Sequence, residues 1–230
     1  MKRSFALVAF LVGCSSAFGF ITNGSFENGQ VHGPGGPNFN IGGVPAPWTM
    51  TSYSPDTYDN TGADGWDLNG IPPYNNMMQG VSAYHGVRFV GFAASPSFGG
   101  IAEAFGQQVT GLQIGKRYRV SAATITDNLG RAAPYGGPYT GFGDIDVYYN
   151  SQYIGSLLAN TLSLTWQVRW FEFTALSTSG FMEYVMVTQG PQPSQPSYRG
   201  IDAVEVVPEP MAMLVLGAGV AALMRRRNRA

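Results

Sequence analysis

Arg117-Tyr118-Arg119-Val120-Ser121-Ala122-Ala123-Thr124 is the stretch that decides the fold. Side chains two apart share a face of a β-strand, so Tyr118, Val120 and Ala122 line one side of this segment. The same signature recurs on both flanks. Residues 144–149 and 152–158 form a strand pair joined near Asn150-Ser151, a hairpin. Residues 167–173 and 181–188 are rich in aromatic and branched side chains, and 200–207 is another alternating run. Toward the N-terminus, 87–93 and 101–109 add two strands, while 22–27 and 48–53 open the domain. About eight to ten short strands with Gly/Pro-rich connections predict an all-β fold, an antiparallel β-sandwich of the jelly-roll type.

The connections are long and aromatic. Residues 28–47 hold six glycines and four prolines. Residues 54–86 carry Tyr58, Trp66, Tyr74 and Tyr84, and 128–143 carry Tyr135 and Tyr139. A disordered linker would hold few aromatics, so these loops are candidates for function.

The two ends read differently from the body. Met1-Lys2-Arg3 is a short basic start, 4–12 is an apolar run without charge, and Ala17-Phe18-Gly19 supplies small residues at a cleavage site. Residues 1–19 therefore read as a signal peptide for the Sec export machinery. Leu11-Val12-Gly13-Cys14 also matches the shape of a lipoprotein cleavage box, so lipidation at Cys14 stays open as a second route. At the other end, Val207-Pro208-Glu209-Pro210 precedes an uncharged segment, 211–224, and then Arg225-Arg226-Arg227-Asn228-Arg229. A comfortable bilayer span takes roughly 20 apolar residues, so this tail fits a short, transient insertion with its arginines held in the cytoplasm. The expected organisation is a signal peptide over 1–19, a sandwich over 20–206 and a tail over 207–230.

That tail, with Pro208, Glu209 and Pro210 before the apolar segment and Arg225, Arg226 and Arg227 after it, resembles the PEP-CTERM sorting signal of bacteria that make exopolysaccharide. The resemblance covers about the last two dozen residues. It implies processing by an integral-membrane exosortase in a Gram-negative-type host. It further implies transient anchoring in the inner membrane, release to the cell surface or matrix, and membrane contact only through the uncleaved ends.

Composition limits the chemistry of the body. Only 12% of the residues are charged, and the single cysteine lies in the export segment, so the body offers neither disulfide nor thiol. Between residues 20 and 207, seven basic side chains face thirteen acidic ones, leaving about −6. Such a surface repels nucleic acid and anionic lipid. There is no Gly-x-Ser-x-Gly elbow, phosphate loop or zinc pattern. Asp144 and Asp146 share a strand face as a carboxylate pair might, but solvent-facing acids at a strand start account for them as well. Asp56, Asp59, Asp64 and Asp67 lack calcium-loop spacing and read as a solvated loop.

Asn23-Gly24-Ser25-Phe26-Glu27 and Gly200-Ile201-Asp202-Ala203-Val204 bracket the body. That bracketing resembles galactose-binding-like jelly rolls, including carbohydrate-binding modules. It implies a structural calcium ion held by Glu27 and Asp202; a carboxylate capping loop amides is the alternative. Asp202 is expected on the same strand face as Val204 and Val206, where an unpaired carboxylate would be costly. The functional reading is a non-catalytic module binding exopolysaccharide. Trp66, Tyr74, Tyr84, Tyr135 and Tyr139 would stack on sugar rings, and His85 or Arg88 would read their hydroxyls. No cofactor is required. A secreted polysaccharide hydrolase, with paired acid and base in a cleft, is the competing reading.

Overall fold

The computed structural model describes residues 20–29, 43–60, 66–67, 78, 81–95, 100–127, 132–133, 137–138, 142–158, 165–189 and 196–209. Its architecture is two stacked sheets, with no helix among the described residues. The first sheet runs in the order β1 (Thr49–Ser52), β6 (Ala104–Thr110), β13 (Ser179–Gln189), β10 (Phe142–Tyr149) and β11 (Gln152–Leu157). The second runs β12 (Gln167–Thr174), β7 (Arg117–Asp127), β14 (Ser197–Pro208), β4 (Arg88–Ser95), β2 (Asp56–Asp59) and β3 (Trp66–Asp67). β5 (Ile101–Ala102) adds to β4, and β8 (Ala132–Ala133) pairs with β9 (Gly137–Pro138) apart from both sheets. All pairings are antiparallel except β2 with β3. The expected all-β sandwich is what the chain forms.

Alternation places the core. Tyr118, Val120 and Ala122 are all buried between the sheets, where Phe26, Trp48, Phe105 and Tyr184 form its aromatic centre. Trp48 packs edge-on against Phe105 at 5.3 Å and Tyr184 at 5.8 Å. Each fully buried large apolar side chain contributes about 1.5–3 kcal/mol, and such ring pairs add about 0.5–1.5 kcal/mol. A second cluster, Tyr58, Met78, Phe89, Ala93, Ile125 and Tyr198, covers the outer face of the second sheet, with Trp166 packed against it.

The 150–151 hairpin closes with positive φ at both turn residues, 52° for Asn150 and 64° for Ser151, matching the twist of the flanking strands. The Asn150 side chain holds that turn by accepting the Phe181 amide at 3.0 Å.

Four expectations need correction. Residues 22–27 form a bent segment, not a strand, because Asn23 and Phe26 take φ of 54° and 59°. Asn23 ties that segment down through the Asn28 and Ala46 carbonyls, and Phe26 plugs the core. Residues 101–109 break at Glu103, where the chain crosses from the second sheet to the first. There the Glu103 amide donates to Ala93 O and the Met186 amide donates to Glu103 O. The Glu103 carboxylate accepts the Ala93 amide at 2.6 Å; burial raises its pKa well above the ordinary carboxylate range, and Asp56's charge adds to the rise.

Asp56 and Asp59 are not solvated-loop residues, since both lie in β2 and Asp59 is buried against Arg88. Finally, β14 carries a bulge. Asp202 pairs with Ala123 but Glu205 with Ser121, with Ala203 at φ 48° between them. The extra residue turns Asp202 to the outer face, away from Val204 and Val206, which keep to the core.

Candidate functional site

Two carboxylates from opposite ends of the sequence grip one loop. Glu27 Oε1 accepts the amides of Val87 at 3.0 Å and Arg88 at 2.9 Å. Asp202 Oδ2 accepts the His85 amide at 2.8 Å, and its Oδ1 accepts the Ala203 amide at 2.6 Å. Between them Gly86 takes φ +72°, a conformation that favours glycine, and a β-carbon there would displace the Glu27 carboxylate. Burial raises the Asp202 pKa to about 7; these amide bonds oppose the rise and the Glu27 charge adds to it. The bracketing motifs therefore meet in space, and the amide-capping role is visible directly.

The same pair suits a hard cation in part of its requirements. Both groups offer oxygen, and neither has an ion-pair partner among the described residues. No third His, Cys, Asp or Glu joins them among the described residues, so the remaining oxygens of a calcium shell would come from main-chain carbonyls and water.

The proposed sugar-reading residues separate. Tyr84 is 49% exposed and leans on the Trp166 ring at 6.2 Å, with exposed His85 beside it. Arg88 is not a surface donor. Its Nε binds Asp59 at 2.7 Å, and its Nη1 donates to the carbonyls of Glu27 and Gly29, so burial commits it to the scaffold. Trp66 lies in β3, where only its backbone is described. Tyr74, Tyr135, Tyr139, Cys14, Pro210, Arg225, Arg226 and Arg227 fall outside the described residues. Asp144 and Asp146 do share the outer face of β10, and Asp146 accepts the Ser156 hydroxyl at 2.6 Å.

Trp166 and Trp170 were not among the sequence candidates. β12 alternates, sending Phe171 and Phe173 toward the core and Val168 and Trp170 outward. Trp170 is 55% exposed and Val168 54%, whereas Trp48 in the core is 4% exposed. Trp166 lies four residues before Trp170 on the same face, roughly 13 Å along a strand. The Arg119 guanidinium sits 4.4 Å from the Trp170 ring centre. Beside Trp170, where edge strands β11 and β12 adjoin, opens a groove of about 260 Å³ lined by Ser156, Leu158, Val168, Arg169, Trp170 and Phe171. Gly155 makes that junction possible, because a β-carbon there would occupy the space of the Phe171 ring. An exposed tryptophan, a polar hydroxyl and a guanidinium around one groove can hold a flat, hydroxyl-rich ligand.

No protein-family model and no curated protein matches the chain. Solved structures do. The Stig cyclase Fisc from Fischerella sp. TAU, in complex with an indole compound, is 14% identical over 82% of this chain and 96% of its own, with a TM-score of 0.50. TmCBM61, in complex with β-1,4-galactotriose, is 16% identical over 83% and 99%, with a TM-score of 0.44. The C-terminal CBM6 of LamC from Zobellia galactanivorans is 10% identical over 55% and 85%, with a TM-score of 0.38. At these identities the likeness is one of fold. The fold is the antiparallel β-sandwich described above, and a fold does not fix a function, so function is argued from the site.

Proposed function

We propose that this protein is a secreted or cell-surface module that binds exopolysaccharide without chemistry, on the strip formed by Tyr84, Trp166 and Trp170 and in the adjoining groove. The observation that carries this reading is Trp170: a large aromatic surface left in water on a sheet that buries its neighbouring rings. Sugar rings offer C–H faces to such a platform, and Ser156 and Arg169 stand beside it for their hydroxyls. TmCBM61 and the CBM6 of LamC share the fold and are carbohydrate-binding modules. The hydrolase reading has less support. Three carboxylate pairs, Glu27 with Asp202, Asp56 with Glu103 and Asp144 with Asp146, spend oxygens on backbone amides and on tyrosine and serine hydroxyls.

A glycan-array screen of the purified protein tests the reading. Trp170→Ala is expected to weaken binding to any retained glycan about thirtyfold or more, the loss of a central aromatic contact. Tyr53→Ala, which removes another exposed ring at 57% exposure, serves as the control. Binding unaffected by Trp170→Ala would remove the strip from the site, and release of reducing sugar would favour the hydrolase.

Export and exosortase processing belong to the same proposal. They rest on the sequence of the two ends, and no helix among the described residues is long and apolar enough to cross a membrane. The stretch proposed as a sorting motif begins within the described fold: β14 runs through Pro208, and Glu209 bonds to Arg117 through its amide at 3.2 Å and its carboxylate at 3.4 Å. Intact-mass measurement on exported protein should find both residues 1–19 and the arginine cluster removed. A mass that retains residues 225–229, or a lipid on Cys14, contradicts that processing.

A further inference from the structure

The charges around the groove say more about its ligand. Six cationic side chains lie among the described residues, and their partners separate them. Arg88 binds Asp59; Arg117 binds Glu172 and Glu209; Arg119 binds Glu172. Lys116 is exposed and is not among the residues that line the groove. Arg169 and Arg199 have no ion-pair partner among the described residues. These two sit together: Arg169 lines the groove, and Arg199 lies buried behind it, donating to the carbonyl of Leu157 at the end of β11.

Arg199 is 1% exposed, its Nε has no hydrogen-bond partner, and its two other bonds are long, both 3.4 Å. Burial lowers its pKa to about 10 and the nearby Arg169 charge opposes it further, while Asp144 acts the other way; it stays cationic at neutral pH. Acids stand nearby, but none forms an ion pair with Arg169: Asp144 acts on Arg199, Glu172 is held by Arg117 and Arg119, and Asp146 takes the Ser156 hydroxyl. In a domain with a net charge near −6, the groove thus presents a guanidinium, Arg169, that has no ion-pair partner among the described residues.

We propose that the glycan taken at this groove is acidic, a uronate polymer whose sugar ring lies on Trp170 and whose carboxylate is taken by Arg169. A guanidinium matches a planar carboxylate through two parallel N–H donors, and Arg199 behind it adds a field that water screens poorly. This inference rests on the glycan-binding reading above and names the class of glycan.

The test compares polygalacturonate, neutral galactan and dextran sulfate as probes for the full-length protein, by calorimetry at low and physiological salt. Polygalacturonate should bind at least tenfold more tightly than galactan, with the difference shrinking as salt rises. Arg169→Gln should bring polygalacturonate binding down to the level of galactan for the same variant, with a native-like circular dichroism spectrum showing that it is folded; Trp170→Ala should weaken both. Galactan bound as tightly as polygalacturonate overturns the acidic assignment and leaves the binding module standing. Dextran sulfate binding that Arg169→Gln does not change, together with equally indifferent polygalacturonate binding, identifies general polyanion attraction and also overturns it. No binding to any of the three overturns this inference, and a glycan array that is blank as well overturns the parent reading.

Discussion

Arg88→Ala is expected to lower the melting temperature of this protein by roughly 6–20 °C. The Asp59 carboxylate has no solvent exposure and receives the Arg88 Nε at 2.7 Å. Removing one partner of a buried pair leaves an uncompensated charge and typically costs about 3–5 kcal/mol. For a domain of 150–250 residues each kcal/mol moves the midpoint by roughly 2–4 °C. The loss extends beyond the pair. Arg88 Nη1 also donates to the carbonyls of Glu27 at 3.0 Å and Gly29 at 2.9 Å, so the bent N-terminal segment loses its anchor. Arg88→Lys should recover little, because one ammonium cannot reproduce a guanidinium that reaches a carboxylate and two carbonyls at once. Thermal melting of the purified variants checks this. A shift of Arg88→Ala below about 2 °C would mean that Asp59 is neutral or solvated, against the geometry.

That pair also marks where sequence reading stops. The alternation of 117–124 and the 144–158 hairpin are legible because period and turn chemistry act within a few residues. Both appear as expected in β7, β10 and β11. Asp59 sits in an acid-rich stretch whose local pattern says solvent, and only the strand pairing of Asp59 with Arg88, 29 residues on, reverses that. The bulge at Ala203 is equally silent, because alanine carries no preference for positive φ. Its effect is large: one extra residue moves Asp202 across the sheet, from the core face to the face of the 84–88 loop.

Trp170 was missed for a related reason. Residues 167–173 alternate between two sets of large apolar side chains, Val168 with Trp170 and Phe171 with Phe173, and sequence alone does not say which set meets the other sheet. The register of β12 on β7 settles it, pairing Phe171 with core Val120 and Phe173 with core Tyr118. The loops that sequence reading favoured, by contrast, bring only Tyr84 and His85 to the described surface.

The convergence of Glu27 and Asp202 was legible only through the resemblance to galactose-binding-like jelly rolls, and it leads to the second large effect: calcium is expected to raise the melting temperature by about 5–11 °C at a hundredfold excess over its dissociation constant. An ion that binds only the folded state stabilises by about 2.7 kcal/mol at that excess, and the conversion to temperature is the one used above. We propose Glu27 and Asp202 as the carboxylates that would hold it, and its chemistry would be neutralisation of two acids that share one corner and raise each other's energy. The loop they clamp, from Tyr84 to Arg88, joins the bent N-terminal segment to the start of β4 and to β14, so the ion would secure an end where fraying normally begins. Asp202→Ala lowers stability by itself, since the amides of His85 and Ala203 lose their acceptor at about 1–3 kcal/mol each. The informative quantity is therefore the calcium response of each variant, read as melting with chelator and with added calcium. The native protein should respond and Asp202→Ala should not. If the native protein melts at the same temperature in both conditions, Glu27 and Asp202 act through their amide hydrogen bonds alone.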